Sequence, residues 1–153
     1  MMEGFRFTCL QGCTRCCMAD GWVYLTEADL KRAAAWLGLN AREFEQRYVY
    51  RTRHLLRLRK PRHTQCPFLT GDGCAIHPAK PTQCRTFPFW PELISSAKAW
   101  RTLARLCPGV GQGELAPFAA VQRIADEMLS AYPSMYSRFR KIRRLPRGRA
   151  PSS

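Results

Sequence analysis

At 153 residues and 46% hydrophobic, the chain is the size of one ordinary domain with its own core. No apolar run approaches the ~20 residues that a membrane-spanning helix needs, so the chain is expected to be soluble. Its net charge of +14 sits in two places: residues 42–62 carry eight Lys/Arg against Glu43 and Glu45, and residues 138–149 carry seven Lys/Arg and no acid. Patches of this kind attract anions, nucleic acid and membrane surfaces among them.

In chain order, the opening Met1 to Cys13 has no apolar stretch of the kind that drives export, so a reducing cytosol is the expected location. Residues 9–17 hold four cysteines with Gly12 and small polar neighbours and read as a loop wrapped around something. Trp22 to Leu25 is a short strand candidate. Thr26, with Asp29 three residues on, is a capping box for a helix over 27–37, whose apolar positions Leu30, Ala33, Ala34 and Leu37 fall at helical spacing; Gly38 suits its C′ position. Asn40 caps a second helix over 41–49. From Tyr50 to Leu58 the period changes to two, which argues for a strand with Arg51, Arg53, Arg57 and Arg59 on a basic face, a helix being the alternative.

Thr70-Gly-Asp-Gly73 between Cys66 and Cys74 predicts a hairpin. Pro81 opens a short turn that carries Cys84. Phe87 to Pro91 is too proline-rich for regular structure but supplies aromatic packing through Phe87, Phe89 and Trp90. A helix is expected over 96–105, then a loop marked by Gly109, Gly111 and Gly113. Pro117 starts a helix over 117–131, with Phe118, Val121, Ile124, Ala125 and Met128 on its stripe. Beyond residue 137 the composition is Arg, Pro, Gly and Ser, a basic flexible tail over 138–153. The expected fold is a small, loop-rich α+β single domain, residues 1–137, organised around a cysteine-ligated metal site.

The cysteines carry the chemistry. Eight of them, clustered as Cys9-x3-Cys13-x2-Cys16-Cys17 and followed by Cys66, Cys74, Cys84 and Cys107, are not a disulfide framework in a reducing compartment. Thiolate is a soft ligand that selects zinc, iron–sulfur clusters or copper(I). Consecutive side chains diverge, so the vicinal pair Cys16 and Cys17 suits a cluster, two ions, or one ion plus a spare thiol. Cys13-x2-Cys16 has zinc-knuckle spacing, with Cys66 and Cys74 placed to complete four-coordination. The same opening spacing occurs in the cluster loop of radical S-adenosylmethionine enzymes. Barrels of that kind usually take ~200 residues or more, and the strand–helix alternation they need is missing. His54, His63 and His77 are borderline ligands, His77 the best placed.

Cys13-Thr-Arg-Cys-Cys17, Cys66-Pro-Phe-Leu69, Gly73-Cys-Ala-Ile-His77, Pro81-Thr-Gln-Cys-Arg-Thr-Phe-Pro-Phe89 and Cys107-Pro-Gly109 occur in this order. Together they resemble the YkgJ-type cysteine-cluster family, also called the CxxCxxCC family, over about residues 5–113. The resemblance implies zinc or iron chelation, and a similar module in flagellin lysine methylases implies an iron–sulfur cluster. It implies Cys13, Cys16, Cys17, Cys66, Cys74, Cys84 and Cys107 as metal ligands. Cys9 is the weakest member, because three residues separate it from Cys13 where the family pattern has two. Arg85, next to Cys84, is a candidate to hydrogen-bond a sulfide or thiolate from outside the ligand set.

Three functions follow. The first is a cytoplasmic metalloprotein, with iron–sulfur preferred over zinc because eight thiols exceed the four that a structural zinc needs. The second is a nucleic-acid-associated module using residues 47–62 and the tail, its metal structural. The third is an iron–sulfur-dependent enzyme module for redox or methyl transfer, although the chain has no paired carboxylates, nucleophile–base pair or glycine fingerprint for a cofactor.

Overall fold

The computed structural model describes residues 4–18, 21–60 and 66–137; the tail over 138–153 lies outside them. The elements run β1 (Gly4–Phe7), α1 (Arg15–Met18), β2 (Tyr24–Leu25), α2 (Glu27–Trp36), α3 (Ala41–Tyr48), β3 (Val49–Arg51), β4 (Leu56–Leu58), β5 (Leu69–Thr70) and β6 (Gly73–Cys74). After a 3-10 turn at His77–Ala79 come α4 (Thr82–Thr86), α5 (Pro91–Ile94), α6 (Ala97–Leu103), β7 (Val110–Pro117) and α7 (Phe118–Ala131). The fold is α+β: short helices packed on three small antiparallel sheets, ordered β1-β7, β2-β4-β3 and β5-β6. Among the described residues, no helix is long and apolar enough to cross a membrane.

The capping box that the sequence predicts at Thr26 forms, and the predicted Asn40 cap is part of a second box. The Thr26 side chain accepts from the Asp29 amide and Asp29 reaches back to the Thr26 amide; Asn40 and Glu43 do the same for α3. Gly38 takes the left-handed conformation just past α2, at φ 70°.

Two expectations are corrected. Residues 50–58 are two strands, because Thr52 folds the chain back: its amide and hydroxyl both donate to the Leu55 carbonyl, and its hydroxyl accepts from the Leu55 amide. The reversal changes the phase, so Leu56 and Leu58 are buried whereas Tyr50 is exposed. The glycines after Cys107 mark a strand and its bulge. β7 pairs with β1 in a register that runs Gly4↔Pro117 to Arg6↔Leu115 and then slips to Phe7↔Val110. Thr8 crosses so closely that a Cβ on Gly109 would lie 2.1 Å from the Thr8 carbonyl oxygen, and one on Gly113 2.9 Å from the Thr8 Cβ.

Smaller departures sit at Pro91, the first residue of the short helix α5 where no regular structure was expected, and at Phe118, half exposed rather than on the buried stripe. One core lies between α2, α3 and the β2-β4-β3 sheet, around Leu30, Phe44, Val49, Leu58 and Ile76, with Cys66 and Cys74 packed on its edge. A second gathers Phe5, Trp100, Leu103, Val110 and Val121, with Phe87, Phe89 and Cys107 at its margin. A third, Met128, Leu129, Tyr132 and Tyr136, takes Tyr24 and Trp90. Cys66, Cys74 and Cys107 therefore lie on the margins of two cores rather than inside either.

Candidate metal centre

Four stretches deliver the thiols. Residues 9–17 turn at Gly12 and close into the single helical turn α1; the Cys13 amide donates to the Leu10 carbonyl at 3.0 Å and the Cys17 amide to Thr14 at 3.0 Å. The Cys66 amide donates to the Cys17 carbonyl at 3.2 Å, pinning this turn to the hairpin arm. Cys74 on β6 stands opposite Leu69 in the hairpin that the Thr-Gly-Asp-Gly signal predicts. Cys84 rides in the middle of α4, with Pro81 as that helix's N-cap rather than its first residue. Cys107 follows α6, its amide on the Leu103 carbonyl at 2.9 Å. All eight thiols are free.

The electrostatics link seven of them. Cys16 and Cys17, consecutive in α1, act on each other's ionisation through a side-chain hydrogen bond. That bond favours the Cys16 thiolate, with help from nearby backbone amides and Lys80 against burial, and lowers its pKa to about 6. The same bond, then burial and the charges of Cys16, Cys66 and Cys74, pushes the Cys17 thiol up. Burial comes first for the rest. It raises Cys66, with Cys74 and Cys16 adding to it, and pushes Cys84 up to about 12 with Cys66, Cys16 and Cys74 as neighbours. It also raises Cys107, where Cys13 and Cys16 add. Cys16 is the thiol that both groups feel. Cys9 stands apart, exposed, its sulfur 3.9 Å from the carbonyl of Leu10.

Among the described residues, no three Cys, His, Asp or Glu side chains are placed to hold one ion between them. The seven thiols are neighbours without forming a ligand shell. The donor set itself, all sulfur and drawn from four chain segments, fits a soft metal. His54 lies in the β3–β4 turn, at a cleft shared with Arg53 and Tyr132, and His77 is exposed on the 3-10 turn. His63 lies outside the described residues. The Arg85 guanidinium is engaged by Glu127 of α7 through both nitrogens rather than by a sulfur.

A buried polar network fixes α4, and with it Cys84. Asp29 is fully buried. Its Oδ2 accepts from the amides of Thr26 at 2.9 Å and Thr82 at 3.0 Å, and its Oδ1 from the Thr82 hydroxyl at 2.9 Å and from Arg32 at 2.7 Å. The Tyr132 hydroxyl accepts from the Gln83 amide at 3.1 Å and donates to the Tyr24 carbonyl at 2.7 Å. The Gln83 side chain spans β2, accepting from the Tyr24 amide and donating to the Trp22 carbonyl. Sequence reasoning gave Asp29 a capping role alone and passed over Thr82 and Gln83. The available signal was two polar residues set between Pro81 and Cys84 in a stretch otherwise bound for the interior.

The basic segment is already partly committed. Arg51 pairs with Glu27 and Glu45, and the Arg59 Nε donates to the Val49 carbonyl at 2.9 Å. Arg57 lies against the Trp22 ring, 4.0 Å from its centroid, and against Tyr50 at 4.9 Å.

A comparison with family models matches residues 8–108 to the CxxCxxCC model, described as "Putative zinc- or iron-chelating domain". No solved structure matches the chain.

Proposed function

Because the chain belongs to the CxxCxxCC family of zinc- or iron-chelating domains, we propose that it is a cytoplasmic metalloprotein carrying an iron–sulfur cluster, with zinc as the alternative metal. The observation that carries this reading is the gathering of seven thiols from four chain segments into one electrostatic neighbourhood. Cys13, Cys16, Cys17, Cys66, Cys74, Cys84 and Cys107 form the ligand pool, and Cys9 stays outside it. A structural zinc site takes four ligands, so a pool of seven favours a polynuclear centre or two sites.

A bound cluster would supply a soft, redox-capable centre. The chain's own residues supply its frame. Cys16, exposed and already disposed to ionise, would hold a soft metal as its thiolate. Cys66, Cys84 and Cys107, whose protons burial retains, would have to lose them to act as ligands, so metal content should rise with pH. The network of Asp29, Thr82, Gln83 and Tyr132 holds Cys84 in position.

The test is elemental and sulfide analysis of protein purified anaerobically. Iron and acid-labile sulfide in a brown protein are expected. A colourless protein holding zinc alone would sink the iron–sulfur assignment and leave the chelating reading standing.

A further inference from the structure

Tyr50 and Arg57 are direct cross-strand partners on β3 and β4, and β3 is the edge of its sheet. The Arg57 guanidinium rests against the Tyr50 ring and the Trp22 ring, and the Lys60 ammonium is 6.0 Å from the Trp22 centroid. Both rings stay in solvent, Trp22 at 43% and Tyr50 at 49% exposure. The Arg57 guanidinium makes no hydrogen bond or ion pair among the described residues, so its in-plane N–H groups are left for an acceptor. Two hydrogen bonds hold the patch in place: Gln83 Nε2 donates to the Trp22 carbonyl, and the Leu58 amide donates to the Val23 carbonyl.

From this we infer that Trp22, Tyr50, Arg57 and Lys60 form a docking surface for single-stranded nucleic acid. The guanidinium and ammonium meet phosphates, and the two exposed rings stack bases. Charge alone would equally suit an acidic polypeptide or a duplex. The rings decide between them, since a duplex hides its base faces and an acidic side chain offers no face to stack. A guanidinium resting against two aromatic rings is also positioned before the ligand arrives, which reduces the ordering cost of binding. The inference stands independently of the metal assignment.

Fluorescence anisotropy of a labelled oligothymidylate, titrated with the full chain as isolated, tests it. Affinity should fall steeply with salt. Trp22→Ala and Tyr50→Ala should each weaken binding by about tenfold at fixed salt while leaving the salt slope unchanged, because each removes stacking and no charge. Arg57→Gln should reduce the slope by about 0.7, the share of one phosphate on a single strand. The basic residues 138–149 are common to all variants, so their contribution cancels. Both aromatic variants binding like the parent, or polyglutamate displacing the oligonucleotide as readily per charge as unlabelled oligothymidylate, would reduce the patch to a general anion attractor and overturn the inference.

Discussion

Asp29 caps α2 and, through the same carboxylate, ties down the turn that carries Cys84. Replacing it by Ala leaves the Thr26 amide, the Thr82 amide and the Thr82 hydroxyl without a buried acceptor. A loss of about 3–5 kcal/mol in urea unfolding is expected, against about 1 kcal/mol for an exposed cap. The neighbouring tyrosines give a pH dependence. Burial, and then the charge of Asp29, holds the Tyr132 phenol above its ordinary value of about 10, and burial with Glu92 does the same for Tyr136. Both folded values exceed the unfolded one. Their contribution to stability is therefore whole below about pH 10 and is lost as pH rises beyond it. In an alkaline titration, the phenolate absorbance of these two residues should appear together with the loss of helical circular dichroism. All five tyrosines ionising near pH 10 with the fold intact would contradict this. The capping role of Asp29 is readable from Thr26-x-x-Asp29. Its reach across 53 residues to Thr82 is not, since nothing local marks a carboxylate for burial.

The β1–β7 pair shows the same division between local and distant causes at the scale of elements. Glycine spacing reads as a loop because turns are the commonest reason for glycine. Here the reason at Gly109 and Gly113 is the passage of Thr8, a partner about a hundred residues away in the chain. Gly109→Ala should therefore lower stability by more than about 2 kcal/mol, since a backbone carbonyl occupies the space of the new methyl. Gly71→Ala, with open space around it in the β5–β6 turn, should stay within about 0.5 kcal/mol. Chemical denaturation of the two variants side by side decides the matter. The β3–β4 reversal escaped the period-two reading because Thr52 makes the turn without a glycine or proline. The helices with side-chain caps and the hairpin at Gly71-Asp72 were readable because their signals lie within a few residues.

At the scale of the molecule, the candidate thiols are divided between the edges of two cores. Cys66 and Cys74 pack on the edge of one and Cys107 on the edge of the other, while the 9–17 turn reaches both groups through Cys16. A bound metal would then staple the halves, and its removal should cost cohesion between them. A strong chelator is expected to lower the thermal midpoint clearly, read by circular dichroism before and after treatment. An unchanged melt would argue that the protein folds fully without metal. Cys84→Ser should lower the metal content, whereas Cys9→Ser should retain both the metal and the midpoint. The family and its motif order were legible in the sequence. The partition of the thiols between two cores was not, because it depends on where α4 and β7 are carried by packing.

The β1–β7 ladder also has a consequence in time. Gly4 emerges from the ribosome first, yet its partner Pro117 follows only after more than a hundred further residues, and ninety residues separate Cys17 from Cys107. At the usual ~5–20 residues per second of synthesis, the N-terminal thiols wait roughly 5–18 s before the last of their companions is made. During that interval they are unguarded against oxidants and stray ions. A centre that includes Cys107 would be complete only once that residue is made. Chains stalled after residue 100 should leave Cys13, Cys16 and Cys17 open to alkylation, and chains released in full should not.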